Sequence, residues 1–149
     1  MDQVYKFVKE FKKKYPSTVA WRLKSHSKVI QKFMNPNEEI IYAFCGQKNE
    51  SSFDLFSTYV IAITNKRILV AQKRVLWGYS YYAITPDMYN DMQVFAGLLW
   101  GKIYLDTVKE LVVVSNISKA ALNEIETIIS EYMLAVKKKF VTKKIDAAK

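Results

Sequence analysis

A single cysteine, Cys45, rules out any disulfide within the chain, so this is no disulfide-stapled scaffold and suits a reducing compartment. Four glycines and three prolines leave no room for a low-complexity linker or a phosphate-cradling glycine loop, because Gly46, Gly78, Gly97 and Gly101 are scattered. The lone histidine, His26, cannot form a His/Cys metal site with one cysteine, and neither HExxH nor CxxC occurs. No long apolar run is present either. The longest uncharged stretch, residues 75–86, has 12 residues, too few to span a bilayer as a helix. The first 15 residues are interrupted by lysines throughout, unlike a signal peptide, and no lipidation pattern is found. A cytoplasmic protein is expected.

What is present is a globular composition: 149 residues, half of them apolar and 14% aromatic, enough for one domain with a full core. The net charge of +9 is unevenly placed. Residues 1–36 hold nine Lys/Arg against two carboxylates, residues 37–117 seven against eight, and residues 118–149 seven against four. The basic character belongs to the ends.

Along the chain, Val4, Phe7 or Val8, Phe11 and Tyr15 recur at helical spacing, with Lys6, Lys9 and Lys13 opposite. Pro16 stops this helix, and Ser17 is placed to cap a second one over about 18–33. Asn35-Pro36-Asn37 breaks the pattern. The period then changes to two, and seven short strands are expected at 40–46, 53–64, 68–73, 79–84, about 88–98, 102–107 and 110–115. The second and third form a hairpin around Asn65-Lys66-Arg67, rich in the Val, Ile, Thr, Tyr and Phe that suit a half-buried pleated surface. From Ser118 helical spacing returns through Leu122, Ile125, Ile128 or Ile129 and Val136 to about Lys139, and the polar end from about 142 is expected to fray. This divides the chain into a basic helical extension (1–34), a body with a C-terminal capping helix (35–140) and a polar tail (141–149).

NPNEEI before the first strand, YVIAITNKRILVAQ, YYAITPDMYNDMQVFAGLLWGKIYL and KELVVVSNISKAALNEIETII together resemble the bacterial pleckstrin-homology-like (PH-like) domains, particularly the YokE-like group, over roughly residues 35–137. The resemblance implies a mostly β fold with helices: a seven-stranded antiparallel PH-like barrel capped by a C-terminal helix, here preceded by two N-terminal helices. It also implies a non-catalytic binding or scaffolding module, some of whose relatives assemble from identical chains. Eukaryotic relatives of the fold grip phosphoinositide heads with basic residues in the loop after the first strand. That loop, residues 47–52, carries Lys48 alone, beside Glu50.

No catalytic constellation is expected, and no cofactor, metal or small-molecule substrate. His26 lies among Lys24, Lys28 and serines as a surface residue, Cys45 lies in an apolar strand as an inert thiol, and the pairs Glu38/Glu39 and Asp87/Asp91 flank turns. Two surfaces remain. One is an anionic-surface site made of Lys6, Lys9, Lys12, Lys13 and Lys14 with Lys24, Lys28 and Lys32. Five lysines beside an anionic membrane contribute at most about 5 kcal/mol, enough for reversible binding. Lys24, Lys28 and Lys32, with Lys12, Lys13 and Lys14, could follow a nucleic-acid backbone without sequence preference. The other is an aromatic patch, Trp77, Tyr79, Tyr81 and Tyr82, suited to a protein partner or self-association. Protein contact is the first expectation, and peripheral membrane binding through the N-terminal helices the alternative.

Overall fold

The computed structural model describes residues 2–48 and 57–148. The expected loop beyond Lys48 and the expected strand start at Phe53 therefore lie outside the described residues. Two helices, α1 (Gln3–Lys14) and α2 (Leu23–Phe33), precede seven strands: β1 (Ile40–Gln47), β2 (Thr58–Thr64), β3 (Ile68–Lys73), β4 (Tyr79–Ile84), β5 (Tyr89–Ala96), β6 (Gly101–Thr107) and β7 (Leu111–Ile117). A 3₁₀ turn at Lys119–Ala121 then leads into α3 (Leu122–Ala148). The strands form one antiparallel sheet in the order β4-β3-β2-β1-β7-β6-β5, with Gln47 opposite Ser115 joining its two halves. Helices and strands hold near-equal numbers of residues, so the PH-like sheet sits in a mixed α/β chain.

Every residue of β2 and the first four of β3 are buried, although half-buried strands were expected. The reason is that the first two helices cover the outer face of this half of the sheet, α1 against β1 and α2 against β2 and β3. Val4, Val8, Phe11, Val29 and Ile30 belong to one continuous core with the strands. Fully burying such a side chain contributes about 1.5–3 kcal/mol. Phe11 meets Phe44 and Tyr42 with ring centroids 6.1 and 6.2 Å apart. The apolar face of α1 is thus turned inward.

α1 begins at Asp2, whose carboxylate accepts a 2.9 Å hydrogen bond from the Tyr5 amide. α2 starts later than expected, and Ser17 does not cap it. Its cap position is Arg22, in the left-handed conformation and without a side-chain cap. Residues 17–22 instead run as a strap across one end of the sheet. Val19 N–H donates to the Asn116 carbonyl at 2.9 Å, Trp21 N–H to Thr58 Oγ1 at 3.0 Å, and Gln47 Nε2 to the Val19 carbonyl at 2.7 Å. Those bonds satisfy the backbone groups that a helix would have used.

At the opposite end lies the turn between β2 and β3. Thr64 Oγ1 accepts from the amides of Lys66 and Arg67, each at 3.1 Å, and Asn65 Oδ1 accepts from Glu39 N–H at 3.0 Å. Arg67 Nε donates to the buried Glu38 carboxylate at 2.9 Å, and its NH2 group to the Phe33 carbonyl at 3.1 Å. The TNKR signal therefore ties the hairpin to the end of α2.

α3 packs on β5 and β6, burying Leu122, Ile125, Ile129, Tyr132 and Met133. It starts beside the strap and runs toward the β2–β3 turn. It does not fray near 142 but continues to Ala148. No glycine or proline follows Gly101, so nothing breaks the hydrogen-bond ladder.

Candidate functional site

The two residues with nucleophile or metal-ligand chemistry are structural. Cys45 is fully buried, and burial pushes its thiol up to about 12. His26 is buried too, correcting its expected place on the surface: it sits on the face of α2 that meets β3, and its Nδ1 accepts the Lys73 amide at 2.7 Å. Burial, with Arg22 nearby, lowers it from 6.5 to about 4, against a hydrogen bond to the Trp21 backbone that favours the proton. Among the described residues no three His, Cys, Asp or Glu side chains gather into a metal-binding group.

Two of the eight lysines are held by other groups of the chain. Lys12 is half-buried and its Nζ donates to the Pro16 carbonyl at 2.7 Å and to the Thr18 carbonyl, so it holds the start of the strap. Lys14 pairs with Glu124 at 2.6 Å. Tyr42 O–H donates to the same carboxylate at 2.9 Å, which ties α1, β1 and α3 together. Burial alone would push the Glu124 carboxyl up, but Lys14 and Tyr42 hold it below the usual range. Lys6, Lys9 and Lys13 point outward from α1. Lys28 and Lys32, on α2, line a groove of about 320 Å³ with Arg22, Ser25, Lys73 and Tyr79. Lys24 is exposed elsewhere on that helix.

The aromatic patch also divides. Tyr81 stacks on Phe33 with centroids 4.1 Å apart, Tyr79 leans on the same ring at 5.7 Å, and Tyr82 meets Tyr59 edge-on at 6.3 Å. Burial raises the Tyr82 hydroxyl well above the usual tyrosine value. Trp77 is 77% exposed and Tyr79 43%.

What the sequence reading missed is a second apolar surface at the strap end. The β3–β4 connection exposes Val75, Leu76 and Trp77, and the β5–β6 connection exposes Leu98 and Leu99. The signal was present: Val75-Leu76-Trp77-Gly78 and Leu98-Leu99-Trp100-Gly101 put the same aliphatic-Leu-Trp-Gly pattern into two hairpin turns, where polar residues are the rule. Both connections attach to the strap. Trp100 Nε1 donates to the Ser17 carbonyl at 2.9 Å, and Arg22 NH1 to the Lys73 carbonyl at 3.1 Å. The six residues of the strap thus link the two connections.

A third exposed surface is the far end of α3, where Leu134, Val141 and Ile145 lie in the open. No helix among the described residues is long and apolar enough to cross a membrane.

A seven-stranded antiparallel sheet with a helix packed after its last strand defines a PH-like fold. The chain belongs to the bacterial PH domain family, which matches residues 34–131. Among solved structures it is similar to a pleckstrin homology domain from Shewanella amazonensis SB2B, at 16% identity and a TM-score of 0.48, over 72% of this chain and 84% of that one. It is also similar to a protein with a pleckstrin-homology domain from Shewanella loihica PV-4, at 15% identity and a TM-score of 0.46, over 72% and 92%. No curated protein matches.

Proposed function

We propose that this protein is a binding module that works through protein contacts, with the projecting end of α3 as its contact helix. The observation that carries this reading is the stripe of Leu134, Val141 and Ile145, each more than half exposed, on a helix that runs on past the barrel. Positions i, i+7 and i+11 fall within about 40° of one another around a helix, so the three make one apolar face. Beyond Lys137, whose Nζ donates to the Tyr89 carbonyl at 2.7 Å, every described side chain is exposed. Past Met133 the described part of the helix carries Lys137, Lys138, Lys139, Lys143 and Lys144 against Asp146, which favours an acidic partner surface over a second copy of the same basic helix.

The test is affinity capture with the full chain and with Leu134→Lys/Val141→Lys/Ile145→Lys, alongside the mass in solution by light scattering. A partner, or a self-associated species, that is present with the wild type and lost in the triple variant supports the reading. A monomeric wild type that captures nothing overturns it.

A membrane anchor built on the N-terminal helices is less well supported. Val4, Val8 and Phe11 are buried against the barrel, so α1 offers a bilayer its lysines but no apolar face.

A further inference from the structure

From Ala135 to Asp146, α3 forms one wall of a cleft of about 900 Å³. The other wall comes from two turns of the sheet, with Lys66 at the tip between β2 and β3 and Pro86 between β4 and β5. Pro86 and Val136 are half-buried and make an apolar floor. Above it stand four exposed lysines, Lys66, Lys138, Lys139 and Lys143, against one carboxylate of the lining, Asp146. Glu131, one turn back along α3, and Glu39, whose amide is tied to Asn65, lie outside that lining. Asp87 lines a separate groove with Lys137 and Val141. The ion pairs of the described residues are Lys14–Glu124 and Arg67–Glu38, so none of the four lysines is neutralised by one. The spacing of the lysines is informative. A helix rises about 1.5 Å per residue, so the wall from Ala135 to Asp146 is about 16 Å long, and Lys139 and Lys143 stand about 6 Å apart along it. An extended chain rises about 3.3 Å per residue with alternate side chains on one face, so about five residues fill the cleft and alternate positions match the lysine pair. This face of α3 is centred about 110° around the helix from Leu134, Val141 and Ile145, and shares no side chain with them.

We propose that this cleft binds an extended acidic segment of a partner protein, its alternate carboxylates reaching Lys139 and Lys143 on one wall and Lys66 on the other, with the intervening apolar side chains turned onto Pro86 and Val136. The assignment rests on the reading of α3 as a contact helix and states what that helix holds on its other side. Lysine ammonium groups on aliphatic stems, set around an apolar floor, complement a chain in which carboxylates alternate with apolar side chains. A nucleic acid is the other source of repeated negative charge. Base stacking uses aromatic rings and bidentate phosphate contacts use arginine, and the cleft lining holds neither. The turn that presents Lys66 is already fixed by its amide on Thr64 Oγ1, so the wall is formed before any ligand arrives.

The experiment is fluorescence anisotropy of the full chain with three labelled peptides, Glu-Val-Glu-Val-Glu, the reordered Glu-Glu-Glu-Val-Val and Lys-Val-Lys-Val-Lys, at about 50 and 300 mM salt. The alternating acidic peptide is expected to bind at least about tenfold more tightly than the basic one and about threefold more tightly than the reordered one, and to weaken at high salt. Lys139→Glu/Lys143→Glu is expected to weaken it at least about tenfold and Lys66→Glu about threefold. Lys6→Glu/Lys9→Glu removes as much charge from α1 and is expected to leave binding near the wild-type level. All of these side chains are exposed, so the melting temperature should not move. Leu134→Lys/Val141→Lys/Ile145→Lys is expected to retain the peptide, because the stripe faces elsewhere. Failure of the stripe reading shows in capture and light scattering, and failure of this one in the peptide titration. No binding of the alternating peptide at low salt overturns the proposal. So does binding that is equal for the reordered peptide, that Lys139→Glu/Lys143→Glu retains, or that the stripe variant abolishes. Binding of a single-stranded oligonucleotide that Lys139→Glu/Lys143→Glu removes, without binding of the peptide, assigns the cleft to nucleic acid and overturns it as well.

Discussion

Glu38 offers the most demanding test of how the end of α2 is held to the sheet. Its side chain has no solvent exposure and accepts four hydrogen bonds: from Arg67 Nε at 2.9 Å, Arg67 NH2 at 3.1 Å, Thr64 Oγ1 at 2.7 Å and the Asn35 amide at 3.1 Å. Removing one partner of a buried ion pair costs about 3–5 kcal/mol, mostly through the charge left behind. In Glu38→Ala the stranded charge is Arg67, which keeps the Phe33 carbonyl and is 20% exposed, so water reaches it. The loss is therefore expected near the lower end, about 3 kcal/mol, or a melting temperature lower by about 6–12 °C for a chain of this size. Arg67→Ala strands a fully buried carboxylate and is expected to cost at least as much. The double variant should lose about 2 kcal/mol less than the two single losses together. Burial alone would raise the Glu38 carboxyl, but Arg67, the Asn35 amide and Thr64 hold it below its ordinary 4.5. Its contribution is therefore complete above that value and disappears as the pH falls through the lower folded one. Urea midpoints for wild type and Glu38→Ala should draw together only as the pH falls from 4.5 down through that lower folded value. A loss under 1 kcal/mol, or strictly additive single variants, would refute the reasoning.

Other predictions follow from the buried groups. His26 is neutral in the folded protein down to about 4, whereas the unfolded chain takes up the proton near 6.5, so stability falls between those values and not below them. The full effect is about 3 kcal/mol, and His26→Asn, which keeps an acceptor for the Lys73 amide, should remove that slope from urea titrations. Cys45, with its thiol pushed up to about 12, should react with a disulfide reagent only as fast as the sheet opens, so its labelling rate should track unfolding measured by circular dichroism. A Cβ at Gly46 would lie 2.6 Å from Val114 Cγ1 and 2.7 Å from the Ser115 carbonyl, so Gly46→Ala should cost about 1–3 kcal/mol in thermal melts. Gly78 has φ +80° and open space, so Gly78→Ala should cost only about 1 kcal/mol, from backbone strain alone.

Much of the sheet was legible because its signals are local. Thr64, Asn65 and Arg67 act within a few residues of the turn that they define, and each apolar run is bounded by its own breaker. The strap was not legible, since Val19 and Trp21 are held by Asn116 and Thr58, partners 97 and 37 residues away that no window along the chain contains. The packing of the first two helices left a trace that the half-buried reading passed over. β2 reads Tyr-Val-Ile-Ala-Ile without the polar alternation of a strand wetted on one side, and such a run requires cover on both faces. The partners of the aromatic patch were hidden for a related reason. Alternation along β4 places Tyr79 and Tyr81 on one face, but does not show that Phe33 already occupies it. Nor can composition distinguish a lysine that holds a loop, as Lys12 does, from one that meets solvent, as Lys9 does.

The length of α3 sets a scale on the molecule. Its 27 residues make a rod about 40 Å long, starting beside the strap and ending near the opposite turn. At physiological ionic strength a charge is screened over about 8 Å, so five such lengths separate the ends. Whatever potential one pole experiences is silent at the other, and lysines at either terminus of the rod can be exchanged without retuning its far side. The helix is, in electrical terms, an insulating spacer of fixed reach.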